Sequence, residues 1–193
     1  RLGVQRGRVI PLALSALASE PLDLAQRAAL GLAQGTGAID SRRLFDYFRI
    51  TPCGRVVFGG GVPRPAPVGG AVAGHLPPGS ERALRAAFRA LFPAGLAPRV
   101  ARTWGATIGY TLDGLPTLGA IPGRPGLIHL GGWCGHGIAL SLAAGRWGAD
   151  LLAGRAPAEL AWLRPRAPWL PFRPLRRLGC RALPPLLALG DRL

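Results

Sequence analysis

The chain has 193 residues, 49% of them hydrophobic, and its 24 basic residues outnumber 9 acidic ones to give a formal net charge of +15. This length supports one well-buried core and is short for two full domains. No apolar run approaches the roughly 20 residues of a membrane helix, so we expect a soluble, cytoplasmic protein. The three cysteines have neither metal-ligand nor paired spacing, so we expect neither a disulfide scaffold nor a metal site.

The basic residues are all arginines, scattered among Ala, Gly, Pro and Leu. A nucleic-acid interface concentrates basic residues and interleaves them with stacking aromatics, so we expect no nucleic-acid partner. The positive field still favours an anionic cofactor or substrate. Because the chain starts at Arg1 and contains no methionine, we expect either a segment of a longer product or a gene model cut at its front.

The first predicted elements are a strand and an ambiguous segment. Residues 8–18 are apolar and predict a buried strand that a turn at Ser19-Glu20-Pro21-Leu22 interrupts. Residues 23–33 fit a short helix or a loop, because alanine and leucine favour a helix and the surrounding glycines oppose it.

A hairpin is predicted over residues 43–60, with its turn at Pro52-Cys53-Gly54. Strand alternation places Phe45, Tyr47 and Arg49 on one face. A phenol beside a guanidinium can bind a carboxylate, with the arginine bidentate and the hydroxyl adding one bond. The alternative is a solvated strand face without a ligand.

The middle of the chain alternates loops with regular elements. Residues 61–78 are rich in proline and glycine and predict a surface loop. A helix follows, with Ser80 as its N-cap and Pro93 as its stop. Residues 100–111 predict a strand, and a turn and loop over residues 113–126 lead to the next element.

Residues 127–154 predict a strand, a glycine turn and a helix. The turn glycines are Gly131, Gly132, Gly135 and Gly137, and the apolar helix positions are Ile138, Leu140, Leu142, Ala149 and Leu152. Exposed amides at a helix start attract negative charge, and the side chain of His136 can face a ligand bound there. The alternative is an ordinary turn whose glycines only relieve steric crowding.

Residues 155–193 predict a tail rich in proline and arginine, with apolar anchors at Trp162, Trp169 and Phe172. It ends in a short amphipathic helix near residues 175–189, which either packs against the parent domain or lies on a membrane surface. The remaining histidines, His75 in a loop and His129 in a strand, suggest no metal site.

Several motifs succeed one another in a specific order. They are Ser19-Glu20-Pro21-Leu22, Phe45-Asp46-Tyr47-Phe48-Arg49, Gly54 to Gly60, Trp104-Gly105, Thr111 to Gly119 and Gly131 to Gly137. Together they resemble the carboxy-terminal half of FAD-dependent oxidoreductases of the D-amino-acid oxidase superfamily, in particular the glycine/sarcosine oxidase and γ-glutamylputrescine oxidase branch. The resemblance covers about residues 8–154.

The resemblance implies an α+β fold in three parts. Residues 1–126 would form a mostly antiparallel substrate-binding sheet with a flanking helix. Residues 127–154 would supply the last strand and helix of an incomplete FAD-binding α/β layer. The third part is the tail rich in proline and arginine, residues 155–193, which the resemblance leaves unexplained. No Gly-x-Gly-x-x-Gly fingerprint joins a strand to a helix. The family carries it in an N-terminal half, and without that half we expect this segment to be inactive.

The resemblance also implies site residues and a reaction. Flavin contacts would come from Trp104, Gly105, Gly132, Trp133, Cys134, Gly135, His136, Gly137 and Ile138. Tyr47 and Arg49 would line the substrate side, with His136 beside the flavin ring. The family oxidises the C–N bond of a small amine or amino acid to an imine by hydride transfer to FAD. We expect non-covalent FAD, because residues 104–111 contain no cysteine.

Two other functions remain open at this stage. The segment could be a non-catalytic remnant that acts as a binding module for a partner or an anionic ligand. It could also be an arginine-rich surface binder of acidic lipids or nucleic acid.

Overall fold

The computed structural model describes residues 4–42, 45–61, 63–66, 74–155 and 158–169, with Leu178, Arg181, Ala182 and Leu186 as single residues. The chain combines helices with antiparallel β-sheet and divides into two compact units. We call residues 13–107 with 181–193 the sheet unit, and residues 1–12 with 108–180 the turn unit.

The main sheet has the order β2-β3-β4-β1-β5, and β6 also pairs with β1. Its strands are β1 (Val9–Pro21), β2 (Gly37–Ile39), β3 (Tyr47–Ile50), β4 (Arg55–Gly59), β5 (Arg64–Pro65) and β6 (Val100–Thr111). Strands β1 and β6 each continue from one unit into the other. The predicted strand over residues 100–111 is confirmed.

The predicted first strand is present, but the turn expected at residues 19–22 is wrong because β1 continues to Pro21. A register shift lies between Ala18 and Pro21 in the pairing of β1 with β4. At this irregularity the Ser19 hydroxyl accepts a hydrogen bond from the Val56 amide at 3.0 Å and donates to the Glu20 carbonyl at 2.6 Å. A β-bulge therefore lies where the polar residues predicted that the strand would end in a turn.

The predicted hairpin is confirmed with shorter strands. Strands β3 and β4 pair antiparallel, with Tyr47 opposite Gly59 and Ile50 opposite Val56. The turn closes where the Gly54 amide donates to the Thr51 carbonyl at 2.9 Å. Gly54 has φ of 75°, which its missing Cβ permits.

Two helices accompany the sheet. Helix α1 (Leu24–Leu30) resolves the earlier ambiguity, because Asp23 and Gln26 form a capping box with bonds of 2.8 and 3.1 Å. Helix α2 (Glu81–Arg89) begins after Ser80 as predicted. The Ser80 hydroxyl does not cap it, since it donates to the Pro77 carbonyl at 2.6 Å.

The core of the sheet unit lies between α2 and the sheet. Its buried members are Leu17, Leu22, Ile50, Val56, Phe58, Leu84, Phe88 and Phe92. The rings of Phe58 and Phe88 have centroids 5.8 Å apart, and those of Phe88 and Phe92 lie 5.5 Å apart. Leu84 and Phe88, which lie four residues apart on α2, therefore form the contact of this helix with the core.

The turn unit contains the antiparallel pair β7 (Thr117–Ala120) and β8 (Ile128–Gly131), followed by α3 (Gly137–Leu152). The expectation of a loop over residues 113–126 is wrong for β7. This strand has only four residues, too few to give a clear sequence pattern. It is held by its pairing with β8, which places Leu118 opposite Leu130, twelve residues later.

The expected apolar stripe of α3 does not form the contact with β8. Ala144 is 1% exposed and Gly148 is buried, whereas Ile138 is 91% and Leu142 is 79% exposed. A Cβ built on Gly148 would lie 2.7 Å from Ile128 Cδ1. Small residues therefore allow the helix to approach the strand closely, and large apolar residues cover its outer surface.

The start of the predicted tail is a packed segment. A short 3₁₀ helix spans Ala158–Trp162. The edge of one ring faces the other in the pair Trp162 and Trp147, whose ring centroids lie 6.3 Å apart. The Leu118 amide then donates to the Arg164 carbonyl at 3.2 Å. Trp162 and Arg164, at the start of the tail, thus contact the turn unit. Phe172 and most of the predicted helix near residues 175–189 lie outside the described residues.

Candidate functional site

Strand β3 presents Tyr47 and Arg49 on its outer face. Tyr47 is 39% exposed and Arg49 is exposed, while Ile50 between the sheet and α2 is 2% exposed. The structure thus places the phenol and the guanidinium on the same face of β3, as strand alternation predicts.

The Tyr47 ring lies across Gly59 on β4. A Cβ at Gly59 would be 2.4 Å from the phenol oxygen and 2.2 Å from Cζ, so only glycine leaves this space. The Phe45 ring lies beside it, with centroids 6.1 Å apart. Burial raises the pKa of the Tyr47 phenol above its ordinary value, so the hydroxyl is protonated near neutral pH. It can therefore donate a hydrogen bond to a ligand.

Arg49 differs from the arginines that form ion pairs. Carboxylates pair with Arg42, Arg55, Arg85 and Arg155. Among the described residues no carboxylate lies within ion-pair distance of Arg49, and no hydrogen bond uses its guanidinium. A guanidinium that is exposed and has no partner among these residues, on the same strand face as a protonated phenol, is suited to bind a carboxylate.

An ion-pair cluster fixes the chain that enters β3. Arg42 bridges Asp40 and Asp46, and Asp46 Oδ1 accepts from the Gly61 amide at 2.9 Å. Burial raises the pKa of Asp40, but the Arg42 side chain and the amides of Asp46 and Arg42 outweigh it, so the net pKa is lowered. Sequence analysis missed this cluster, although the Asp-x-Arg-x-x-x-Asp spacing is visible in the chain.

Trp104 and Gly105 lie on β6 in the sheet unit. Trp104 is half-buried and Gly105 is buried. The Gly105 carbonyl accepts from the Gly74 amide at 3.1 Å, and a Cβ on Gly105 would be 2.2 Å from the His75 carbonyl oxygen and 3.1 Å from that of Leu14. Gly105 therefore permits three backbone segments to meet. His75 itself is exposed, in accordance with its predicted loop position.

The turn before α3 contains three left-handed residues. Gly132 has φ of 69°, Cys134 of 52° and Gly135 of 96°. Cys134 is unusual because residues with a Cβ rarely adopt this conformation. The turn packs closely, since a Cβ on Gly137 would lie 3.3 Å from Cγ of Trp133. The predicted glycine turn is therefore present, with a cysteine in one of its strained positions.

The start of α3 offers backbone donors. The His136 amide donates to the Trp133 carbonyl at 2.9 Å, and the first helical bond runs from Leu140 to the His136 carbonyl at 3.2 Å. Within the described part of the chain, the amides of residues 137–139 have no acceptor. His136 is the exposed N-cap residue, and its side chain does not cap the helix. These donors and the positive helix end suit an anionic group.

Cys134 faces inward from the same turn. It is 8% exposed, and its Sγ accepts from the Thr111 amide at 3.3 Å. Its thiol is also 3.1 Å from the Gly132 carbonyl, to which it donates. The thiol thus contacts the turn and β6.

His129 lies half-buried on β8. Its Nε2 is 2.7 Å from the side-chain nitrogen of Gln5, and its buried Nδ1 has no partner among the described residues. Gln5 also donates to the Pro165 carbonyl at 2.8 Å and accepts from the Ala167 amide at 3.2 Å. Burial lowers the pKa of His129, so the ring is neutral near pH 7.

The predicted site residues thus fall into two groups. Tyr47, Arg49, Trp104 and Gly105 belong to the sheet unit, and Gly132 to Ile138 belong to the turn unit. Among the described residues, no three His, Cys, Asp or Glu side chains cluster as metal ligands. No helix among them is long and apolar enough to span a membrane.

Solved structures share this fold. L-proline dehydrogenase from P. horikoshii superposes with a TM-score of 0.64 at 21% identity, covering 82% of this chain and 40% of that chain. Glycine oxidase from Geobacillus kaustophilus gives a TM-score of 0.63 at 22% identity, covering 85% of this chain and 41% of that chain. The sheet, glycine turn and following helix therefore belong to a mixed α/β fold that also occurs in these two solved structures.

Sequence comparison assigns the family. The FAD dependent oxidoreductase family, DAO, matches residues 2–151. The probable oxidoreductase OrdL of Rhizobium meliloti is 27% identical over 122 residues, which are 63% of this chain and 26% of the relative. The chain belongs to the DAO family of FAD-dependent oxidoreductases. It spans about a quarter of the length of that relative.

Proposed function

We propose that the complete polypeptide carrying this chain oxidises the C–N bond of a small amine or amino acid with non-covalently bound FAD. The family match over residues 2–151 carries the proposal. The names of glycine oxidase and L-proline dehydrogenase support an amino-acid substrate.

The turn before α3 fits a flavin. The amides of Gly137 and Ile138 would donate to the negative edge of the ring, and the helix end adds positive potential there. Bound there, FAD would supply the hydride acceptor for oxidation of the carbon next to nitrogen, and water would hydrolyse the resulting imine. Residues 104–111 contain no cysteine for a covalent link, which supports non-covalent binding.

Arg49 and Tyr47 would bind the substrate carboxylate. Arg49 supplies a planar pair of donors, and Tyr47 supplies a third from a phenol that stays protonated at neutral pH. Together they orient the substrate. Tyr47 would act as a hydrogen-bond donor, because its raised pKa disfavours a role as base. His136, at the start of α3, would contact the flavin.

The test uses the full-length polypeptide that contains this sequence. We expect a flavin absorption spectrum, release of the yellow colour on acid precipitation, and anaerobic bleaching by a member of a panel that includes glycine, sarcosine and L-proline. A colourless protein that no amine bleaches after reconstitution with FAD would refute the proposal.

A matched pair of arginine variants tests the substrate role. R49A removes an exposed guanidinium that has no partner among the described residues, and R82A removes another exposed arginine, on α2. We expect R49A to lower kcat/KM for a carboxylated amine at least about tenfold, because charge-assisted bonds to a carboxylate are lost. R82A should have little effect. Equal effects of the two variants would exclude a specific role for Arg49.

A further inference from the structure

We propose that Cys134 is a positioning residue whose buried thiol ties the glycine turn to β6 and thereby sets the direction in which the amides at the start of α3 point. As a contribution to flavin binding, this inference rests on the proposed function. As a statement about the turn, it rests only on the contacts of the thiol and its backbone.

The backbone amide and the thiol of Cys134 both form hydrogen bonds. Its amide donates to the Gly109 carbonyl at 3.1 Å, and its Sγ accepts from the Thr111 amide at 3.3 Å. Gly109 and Thr111 both belong to β6. The backbone and side chain of one turn residue thus bind two points of the same strand.

The hydrogens can be assigned from the partners. The Thr111 hydroxyl donates to the Leu115 carbonyl at 2.8 Å, so its single hydrogen is used. At the 3.2 Å contact between this oxygen and Sγ of Cys134, the thiol is therefore the donor, shared with the Gly132 carbonyl at 3.1 Å. One S–H donor and one sulfur acceptor satisfy every contact.

The backbone conformation argues that the side chain is needed. Gly132 and Gly135 have positive φ and carry no Cβ, whereas Cys134 adopts φ of 52° with one. Glycine would be the easier residue at this position. A cysteine that is 8% exposed and fully bonded supplies what glycine lacks, namely a link from the turn to β6.

This link controls the flavin-facing part of the turn. Gly135 and His136 follow Cys134 directly, and the His136 carbonyl accepts the first bond of α3. If the thiol contacts are lost, the bond from the Cys134 amide to the Gly109 carbonyl is the hydrogen bond that remains between Cys134 and β6 among the described residues. The amides of residues 137–139, which have no acceptor in the described part of the chain, then lose their fixed direction.

The first experiment needs no variant. The native 193-residue chain is treated with iodoacetamide, and peptide mass spectrometry follows Cys53 and Cys134 separately. Cys53 is exposed and Cys134 is buried, so we expect Cys134 to react at least about tenfold more slowly. Equal labelling rates under native conditions would overturn the proposal.

The second experiment compares C134G, C134A and C134S in the same chain, with C53A as the matched control. Amide hydrogen exchange is followed at Thr111, His136 and Leu140. We expect C134G and C134A to exchange about fivefold to tenfold faster at these amides, because a buried hydrogen bond is lost. The Leu84 amide on α2 should not change.

Two variants separate the thiol from the backbone. C134G relieves the left-handed strain and still removes the link, so faster exchange in C134G assigns the effect to the thiol. C134S retains a donor and an acceptor and should restore part of the protection. Unchanged exchange in C134G would overturn the proposal. If C134A does not fold, T111V tests the same cluster, because it keeps the shape and removes the hydroxyl.

FAD binding by the full-length polypeptide connects this link to the proposed function. We expect C134A to raise the Kd for FAD about tenfold, with partial rescue in C134S and no change in C53A. A wild-type protein that does not bind FAD would refute the proposed function and leave the exchange result intact. A wild-type protein that binds FAD, with C134A unchanged in exchange and in Kd, would refute the role of Cys134 alone.

Discussion

The ring of Tyr47 occupies the space above Gly59, its cross-strand neighbour, so that an added Cβ would be 2.2 Å from Cζ. Since Gly59 is buried on β4, the strand backbone has little room to move away. The position of the phenol therefore depends on a glycine twelve residues later in the chain. This relationship leads to the first prediction.

G59A should displace Tyr47 and destabilise the sheet unit by about 1–3 kcal/mol, the usual cost of overpacking. The measurement is the free energy of unfolding in denaturant. In a Y47A background the ring is gone, so G59A should cost less, and the double-mutant cycle gives the coupling. An equal cost in both backgrounds would show that the ring and Gly59 are independent.

Two glycines of α3 should respond in opposite directions to alanine. At Gly145 no atom lies within 4 Å of an added Cβ, so G145A should stabilise the protein by about 0.5–1 kcal/mol through helix propensity. At Gly148 the added Cβ would be 2.7 Å from Ile128 Cδ1.

We expect G148A to be destabilising by about 1–3 kcal/mol, because Ile128 must move and α3 must shift from β8. Thermal unfolding of the two variants side by side tests the pair. If both variants raised Tm, the packing of α3 on β8 would leave room for a methyl group at residue 148, and this prediction would be wrong.

His129 should make stability fall in mild acid. Burial lowers its pKa below the ordinary value of about 6.5, and Arg166 lowers it further, while the backbone carbonyls of Pro165 and Gly119 oppose the shift. The unfolded chain then binds a proton at a higher pH than the folded one. The free energy of unfolding should therefore be unaffected above about pH 7 and decline as the pH falls through 6.5 toward the folded pKa.

H129N should remove this part of the pH dependence, as measured by denaturant unfolding between about pH 5 and 8. H75N is the control, because His75 is exposed in a loop of the sheet unit. If H75N flattened the profile and H129N did not, the assignment to His129 would be incorrect.

Asp23 should govern the local stability of α1. This helix has seven residues and none of them is buried, so its capping box supplies much of its stability. D23A should cost about 1 kcal/mol of helix stability, and D23N should cost less because it keeps an acceptor. Amide exchange at Arg27 and Gly31 reports the change. Identical exchange in wild type and D23A would indicate that tertiary contacts hold the helix.

The sequence by itself determined the elements whose signals are local. The hairpin around Pro52-Cys53-Gly54, helix α2 and the glycine turn before α3 follow from turn residues and hydrophobic spacing. The order of motifs determined the family, which the match over residues 2–151 confirms. It also placed Tyr47 and Arg49 on one strand face, because alternation needs only the strand itself.

Only the tertiary structure decided which of these residues form ion pairs, hydrogen bonds or buried contacts within the protein. Arg42 and Arg55 pair with carboxylates, whereas no carboxylate in the part of the chain that the structure describes lies within ion-pair distance of Arg49, and sequence spacing does not measure that distance. The thiol of Cys134 is bonded inward to Thr111, 23 positions away along the chain. The four-residue strand β7 and the outward direction of Ile138 depend likewise on packing between distant segments. Local patterns specify local conformation, and burial and pairing arise from contacts that form only when the chain folds.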